Sequence, residues 1–193
     1  GTPLISEIIL DKLEKSGFLP SLVVCAPDKP KGRGLQLHEP ETKIWAKEHD
    51  IPVLQPKKLD DEFYSQLSTH CPELFIVCAY GKIIPQRFLD IPKKGNINVH
   101  PSLLPKYRGP SPIQAQILAD EKEVGTTIML MDAGMDHGPI LAQKKIDVAM
   151  PQKFESLLKI LADESATLLV ESLPKYLSGE ITPHEQHHDE ATI

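Results

Sequence analysis

The sequence predicts an α/β fold: a doubly wound, mostly parallel sheet with helices on both faces, and one antiparallel strand near the C-terminal end of the sheet. Three observations predict it. Short apolar runs alternate along the chain with helical patterns, as repeated βα units do. The runs "SLVVCA" and "ELFIVCA" are apolar almost throughout, the pattern of strands covered on both faces. Only "DAGMDHG" (132–138) joins the last two strand-like runs, far less than the dozen or so residues of a parallel crossover.

The first element is a helix. "ISEIILDKLEKSG" sets Ile5, Ile8, Ile9 and Leu13 on one face, with Gly17 as its stop signal. A strand follows near Leu22–Cys25. The helical "ETKIWAKEHD" precedes a short strand in "IPVLQ", and "DDEFYSQLSTH" precedes the strand near Leu74–Cys78. Next come "INVH", a helix near "PIQAQILAD", and the strands "VGTTIMLM" and "PILAQKKIDV". An amphipathic helix from about residue 152 to 173 closes the domain.

Composition bounds the function. A chain of 193 residues fits one domain with a real core. No apolar run approaches the ~18 residues that span a bilayer, and no signal peptide opens the chain, which predicts a cytoplasmic protein without a membrane partner. Cys25 and Cys78 sit inside apolar runs and read as small core residues of a reduced protein. A net charge of −6 excludes a surface generally coated in nucleic acid, but not a local basic site.

The chemistry concentrates in "GNINVHPSLLPKYRGPSP" (95–112). Asn98 and His100 are i and i+2 on a strand, so both side chains leave the same face. Pro101 ends that strand, and ligands of open α/β sheets bind beyond the carboxyl ends of strands. The loop at 132–138 can bring Asp132 or Asp136 to the same rim. An amide, an imidazole and a carboxylate together suit acyl transfer to an amine, with donors for a developing oxyanion and a carboxylate to support the imidazole. A polar strand end capped by neighbouring backbone is the alternative, and the spacing alone leaves both open.

"INVHPSLLPKYRGPSPIQ" followed by "GTTIMLMDAGMDHGPIL" resembles the formyltransferase family that uses 10-formyltetrahydrofolate; the N-x-H-x-S-L-L-P-x-x-R-G pattern is long and specific. The resemblance implies a catalytic trio of Asn98, His100 and, from its place before "HG", Asp136. It implies that Ser102, Leu103, Leu104 and Pro105 line the folate, and that backbone groups of Gly81, Lys82 and Ile84 read the pterin edge. Protonated His100 and Asn98 are then the oxyanion donors, Asp136 supports His100, and neither a metal nor a nucleotide is needed. Stiff prolines at 101 and 105 suit a wall held beside the reacting carbonyl. "APDKPKGRGLQL", "VCAYGKIIP" and "RGPSPIQ" are similar to the methionyl-tRNA branch of that family. That likeness implies an inserted loop at Pro27–Leu37 whose Lys29, Lys31 and Arg33 meet initiator Met-tRNA, with Lys106 and Arg108 extending the basic rim. The rival readings are a formyltransferase for a small-molecule amine, a 10-formyltetrahydrofolate hydrolase, and a folate- or tRNA-binding module without turnover.

The same resemblance sets expectations for both ends. Residues 1–180 form the catalytic domain of a monomer, lacking the family's first strand, and 181–193 begin a polar linker to a further domain. His184, His187 and His188 belong to that linker and not to a metal site. Without the first strand, the strands near Leu22–Cys25 and Leu74–Cys78 flank an empty slot and do not hydrogen-bond to one another.

Overall fold

The computed structural model describes residues 1–31, 36–149 and 152–193. Helix α1 (Leu4–Lys15) buries Ile5, Ile9 and Leu13, one stripe at four-residue spacing, and gives way at Gly17, whose φ of 84° is a left-handed conformation suited to glycine. Strand β1 (Val23–Val24) follows, then a hairpin of β2 (Lys29–Lys31) and β3 (Gln36–His38), then α2 (Glu41–Glu48) and β4 (Val53–Leu54). Helix α3 (Asp61–Thr69) starts where the Asp60 carboxylate accepts the Phe63 N–H. After it come β5 (Phe75–Val77), the short α4 (Gln86–Leu89), β6 (Asn96–His100) and α5 (Pro112–Leu118). The chain continues through β7 (Glu123–Leu130), β8 (Ile140–Asp147) and the long α6 (Phe154–Leu177).

The helices cover both faces of the strands. Ile97, Val99 and Ile128 bury one side of β6 and β7 against Ile9 and Leu13 of α1 and Leu169 and Leu173 of α6. On the other side, Val24, Leu54 and Phe75 meet Phe63 and Leu67 of α3 and Phe88 of α4. Phe75 and Ile76 thus serve opposite faces, the two-residue alternation of a strand.

Strand order in the larger sheet is β5-β6-β7-β8, with β5 parallel to β6 and β7 antiparallel to both neighbours. The β7–β8 hairpin accords with the short 132–138 connection. The reversal between β6 and β7, across a helix, was not legible from βα alternation. Strand β7 enters beside the carboxyl end of β6, with Thr127 opposite His100.

Strand β1 pairs in parallel with β4 alone, and neither joins the larger sheet. Between β1 and β5 lies a cavity of about 500 Å³, lined by Val23, Phe75, Ile9, Leu13, Phe63 and Leu67 among others. One end of the gap is bridged by the first residues: the Gly1 amine donates to the Val24 carbonyl at 3.2 Å, Thr2 accepts the Ala26 N–H at 3.2 Å, and Ser6 donates to the Cys78 carbonyl at 2.9 Å. Cys25 and Cys78 are buried free thiols, and burial pushes Cys78 up to about 11. No described helix is long and apolar enough to cross a membrane.

Candidate active site

Every residue of β6 is buried. Ile97 and Val99 face the α1/α6 core, so Asn96, Asn98 and His100 leave the opposite face. Asn96 donates to the Leu89 carbonyl at 2.8 Å, while its buried Oδ1 has no protein partner. The other two meet Asp136, carried in by the β7–β8 loop. Asn98 Nδ2 donates to Asp136 Oδ1 at 3.0 Å, the Gly109 N–H donates to Asp136 Oδ2 at 2.8 Å, and His100 Nδ1 lies 3.6 Å from Oδ2. Asp136 adopts a φ of 48°, uncommon for a residue with a Cβ.

These contacts define where protons sit. His100 Nε2 is 2.8 Å from the Tyr107 carbonyl, which can only accept, so Nε2 carries a hydrogen and the ring orientation is fixed. Nδ1 is then the nitrogen that faces the Asp136 carboxylate. Its 3.6 Å to Asp136 is beyond a hydrogen bond but close enough for strong charge attraction. Asn98 keeps a second N–H to offer. Asp132 is engaged elsewhere, with His137 Nδ1 at 2.7 Å and the Gly134 N–H at 2.8 Å.

The segment after β6 is bolted to the sheet. Thr127 Oγ1 donates to the Ser102 carbonyl at 2.7 Å and accepts the Leu104 N–H at 3.2 Å, and Gln143 donates to the Leu104 carbonyl at 2.8 Å. Side chains of Ser102 and Leu104 point inward: the Ser102 hydroxyl donates to the Lys106 carbonyl at 2.7 Å, and Leu104 packs on Met129 and Ile140. Leu103 and Pro105 are half-buried. The stretch 81–84 lies beyond the carboxyl end of β5, whose Val77 pairs with Asn98. Gly81 has a φ of 76°, Ile84 packs into the α3/α4 cluster, and the Lys82 ammonium donates to the Pro56 and Lys57 carbonyls at 2.6 and 2.9 Å.

The predicted loop at 27–37 contains a hairpin instead, with Lys29 opposite His38 and Lys31 opposite Gln36. A Gly/Pro-rich stretch gives no strand periodicity, so the pairing was invisible in sequence. Lys29 is exposed, Lys31 ends β2, and Arg33 lies outside the described residues. Lys43 of α2 ties both legs, to Asp28 at 2.7 Å and Glu39 at 2.9 Å. Hydrogen bonds from Lys43 and Gln55 hold the Asp28 carboxyl below its usual value.

One expectation needs correction. Arg108 does not extend an outward basic rim: its Nη2 donates to Gln186 at 2.6 Å and to His188 Nδ1 at 2.9 Å. Lys106 stays exposed. Residues 184–192 pack beside the site: Ile140 and His184 form an antiparallel bridge, and Gln186 is buried. Nothing in "HEQHHDE" marks that glutamine, since one buried amide in a polar run has no periodicity. Among the described residues no three His, Cys, Asp or Glu side chains are grouped to hold a metal ion.

Comparison with known proteins bears on this geometry. The chain is 44% identical to a methionyl-tRNA formyltransferase of Chloroflexus aggregans over 100% of its own length and 63% of that protein. It is 46% identical to one from Thermodesulfovibrio yellowstonii over 96% of its length and 61% of that protein. The chain thus spans about three fifths of the curated relatives it matches. Among solved structures, phosphoribosylglycinamide formyltransferase from Bacillus halodurans superposes with a TM-score of 0.74 at 27% identity, covering 93% of each chain. The Formyl transferase family model matches residues 1–173, the span that holds β6, Asn98, His100 and the Asp136 loop, and the chain belongs to that family.

Proposed function

We propose that this chain is the part of a methionyl-tRNA formyltransferase that moves the formyl group of 10-formyltetrahydrofolate to the α-amino group of methionine on initiator tRNA. The observation that carries the reading is the convergence of Asn98, His100 and Asp136 at the carboxyl end of β6 in a member of the Formyl transferase family. Similarity to methionyl-tRNA formyltransferases along nearly all of this chain, and about three fifths of theirs, supports that acceptor.

The donor set suits the chemistry. The folate supplies an activated formyl carbon. The free N–H of Asn98 and an N–H at His100 Nδ1 can both meet negative charge developing on the formyl oxygen, and Asp136 balances the imidazolium. The attacking amine must be neutral, which α-amino groups reach near their usual pKa of about 8. Asp136 then takes part in moving the amine's proton away through water. Leu103 and Pro105 offer an apolar wall, and the backbone at Gly81, Lys82 and Ile84 offers polar groups on the neighbouring rim. Buried Ser102 and Leu104 act by shaping that wall. Lys29 and Lys31 on the hairpin, with Arg33, supply positive charge for a phosphate backbone.

A small-molecule amine is the second reading, favoured by the likeness to a phosphoribosylglycinamide formyltransferase. Offering charged initiator tRNA and glycinamide ribonucleotide in one reaction decides between them. N-formylmethionine on tRNA as the dominant product supports the first reading; formylation of the ribonucleotide amine supports the second. Formate released with neither acceptor formylated contradicts both.

A further inference from the structure

Gln186 is 5% exposed in a segment whose neighbours, Glu185 and His187, are exposed. A buried amide at the centre of a polar stretch calls for a reason, and its contacts give one. Nε2 donates to the Asp136 carbonyl at 3.0 Å and to the Gly138 carbonyl at 2.7 Å. Oε1 accepts from Arg108 Nη2 at 2.6 Å and Nε at 3.2 Å. Both amide hydrogens are used, and the amide cannot be reversed: two carbonyls face its nitrogen and a guanidinium faces its oxygen.

The two structures it joins are the ones that hold the Asp136 carboxylate. One is the β7–β8 loop itself, where Asp136 is kept in a left-handed conformation that its neighbours must enforce. The other is Arg108, whose guanidinium Gln186 holds and whose chain neighbour Gly109 donates its N–H to Asp136 Oδ2 at 2.8 Å. Further contacts clip the same segments together. Thr192 accepts the Arg108 N–H at 2.8 Å through its carbonyl and the Tyr107 N–H at 2.8 Å through its hydroxyl. His188 stacks on His137 with ring centroids 4.1 Å apart. Tyr107 in turn fixes His100 through its carbonyl.

We infer that Gln186 is a positioning residue for formyl transfer: its amide ties the Asp136 loop to the Arg108 guanidinium, beside the Gly109 N–H that holds the carboxylate, setting that carboxylate against Asn98 and His100. It touches no reacting atom; it acts through Asp136. The inference rests on the proposed formyl transfer for its functional part, while the lock itself is measurable without turnover.

The test uses Gln186→Met, which removes all four hydrogen bonds, and Gln186→Glu, which keeps the Arg108 contact but sets an acceptor against two carbonyls. Both are compared with the parent chain in amide hydrogen exchange at Gly109 and in steady-state formyl transfer. The expected result is Gly109 exchange faster by about tenfold or more, with the amides of β6 unchanged. It includes kcat lower by about tenfold or more, with the folate KM within about threefold, since a misplaced carboxylate affects the reaction and not folate binding. Gly109 exchange at the parent rate, or kcat within about threefold of the parent, overturns the inference. So does a fall in kcat that only follows loss of folded protein, or failure of both variants to fold, because the role is then structural. A parent chain without turnover contradicts the proposed function, and Gly109 exchange still decides whether Gln186 holds the loop.

Discussion

Gly138 illustrates how a single residue sets the site. A Cβ built there falls on the Leu130 carbonyl oxygen, which is backbone of the β7–β8 hairpin and has nowhere to go. Gly134, in the same loop, meets the His137 Cβ at 2.6 Å, an atom that side-chain rotation does not move. Gly138→Ala should therefore cost about 1–3 kcal/mol, the usual range for overpacking, and lower Tm by roughly 3–10 °C in calorimetry. Gly134→Ala should lower Tm as well, because relief there needs a shift of the loop backbone. An unchanged Tm at either position would contradict the steric account. The trio itself was only half legible at this scale. N-x-H on a strand pointed to one face and one rim, but the residues alone left Asp132 and Asp136 equivalent. What separates them in the structure is that Asp132 closes its own loop through His137 and Gly134, while Asp136 reaches Asn98.

Among elements, the β2–β3 hairpin is tied to the helix that follows it. Lys43 is paired with a carboxylate on each leg, so one side chain holds both strands to α2. Lys43→Met should speed amide exchange across the hairpin by about two- to fivefold, the range of exposed ion pairs, and leave β6 unchanged. The pH dependence has a definite sign. Asp28 titrates below its usual 3.8 in the folded chain, so its contribution is complete above that value and disappears as the pH falls through the lowered one. The parent hairpin should lose protection over that acid range, and Lys43→Met should not. Loss of the same protection in both would assign the tether to other contacts. Apolar runs and helical stripes announced most other elements, because burial imposes a period on sequence. The hairpin, the reversal of β7 and the return of residues 184–192 have no such period, since they rest on backbone pairing and single polar contacts.

Over the whole molecule, the sheet is interrupted between β1 and β5, where an apolar cavity of about 500 Å³ lies. Residues 1–6 bridge that gap at the ends of β1 and β5 and lead into α1. An extended apolar segment placed ahead of Gly1 can run down the gap and join β1 through α1 as a right-handed crossover. About five residues rich in Val and Ile should raise Tm by roughly 5 °C or more, given about 2–4 °C per kcal/mol for a chain of this size. The same length of lysine and glycine should not. Equal Tm values for the two segments would mean that the cavity does not accept a strand.

The central claim is that Asn98 and His100, set against Asp136, carry formyl transfer, and single-turnover kinetics with 10-formyltetrahydrofolate and charged initiator tRNA test it most directly. Measured beside the parent chain, Asn98→Ala and His100→Ala should each lower the rate of N-formylmethionine formation by about 10²–10³, the usual loss for an oxyanion donor, with folate affinity nearly unchanged. Rates within about threefold of the parent for both variants would contradict the account.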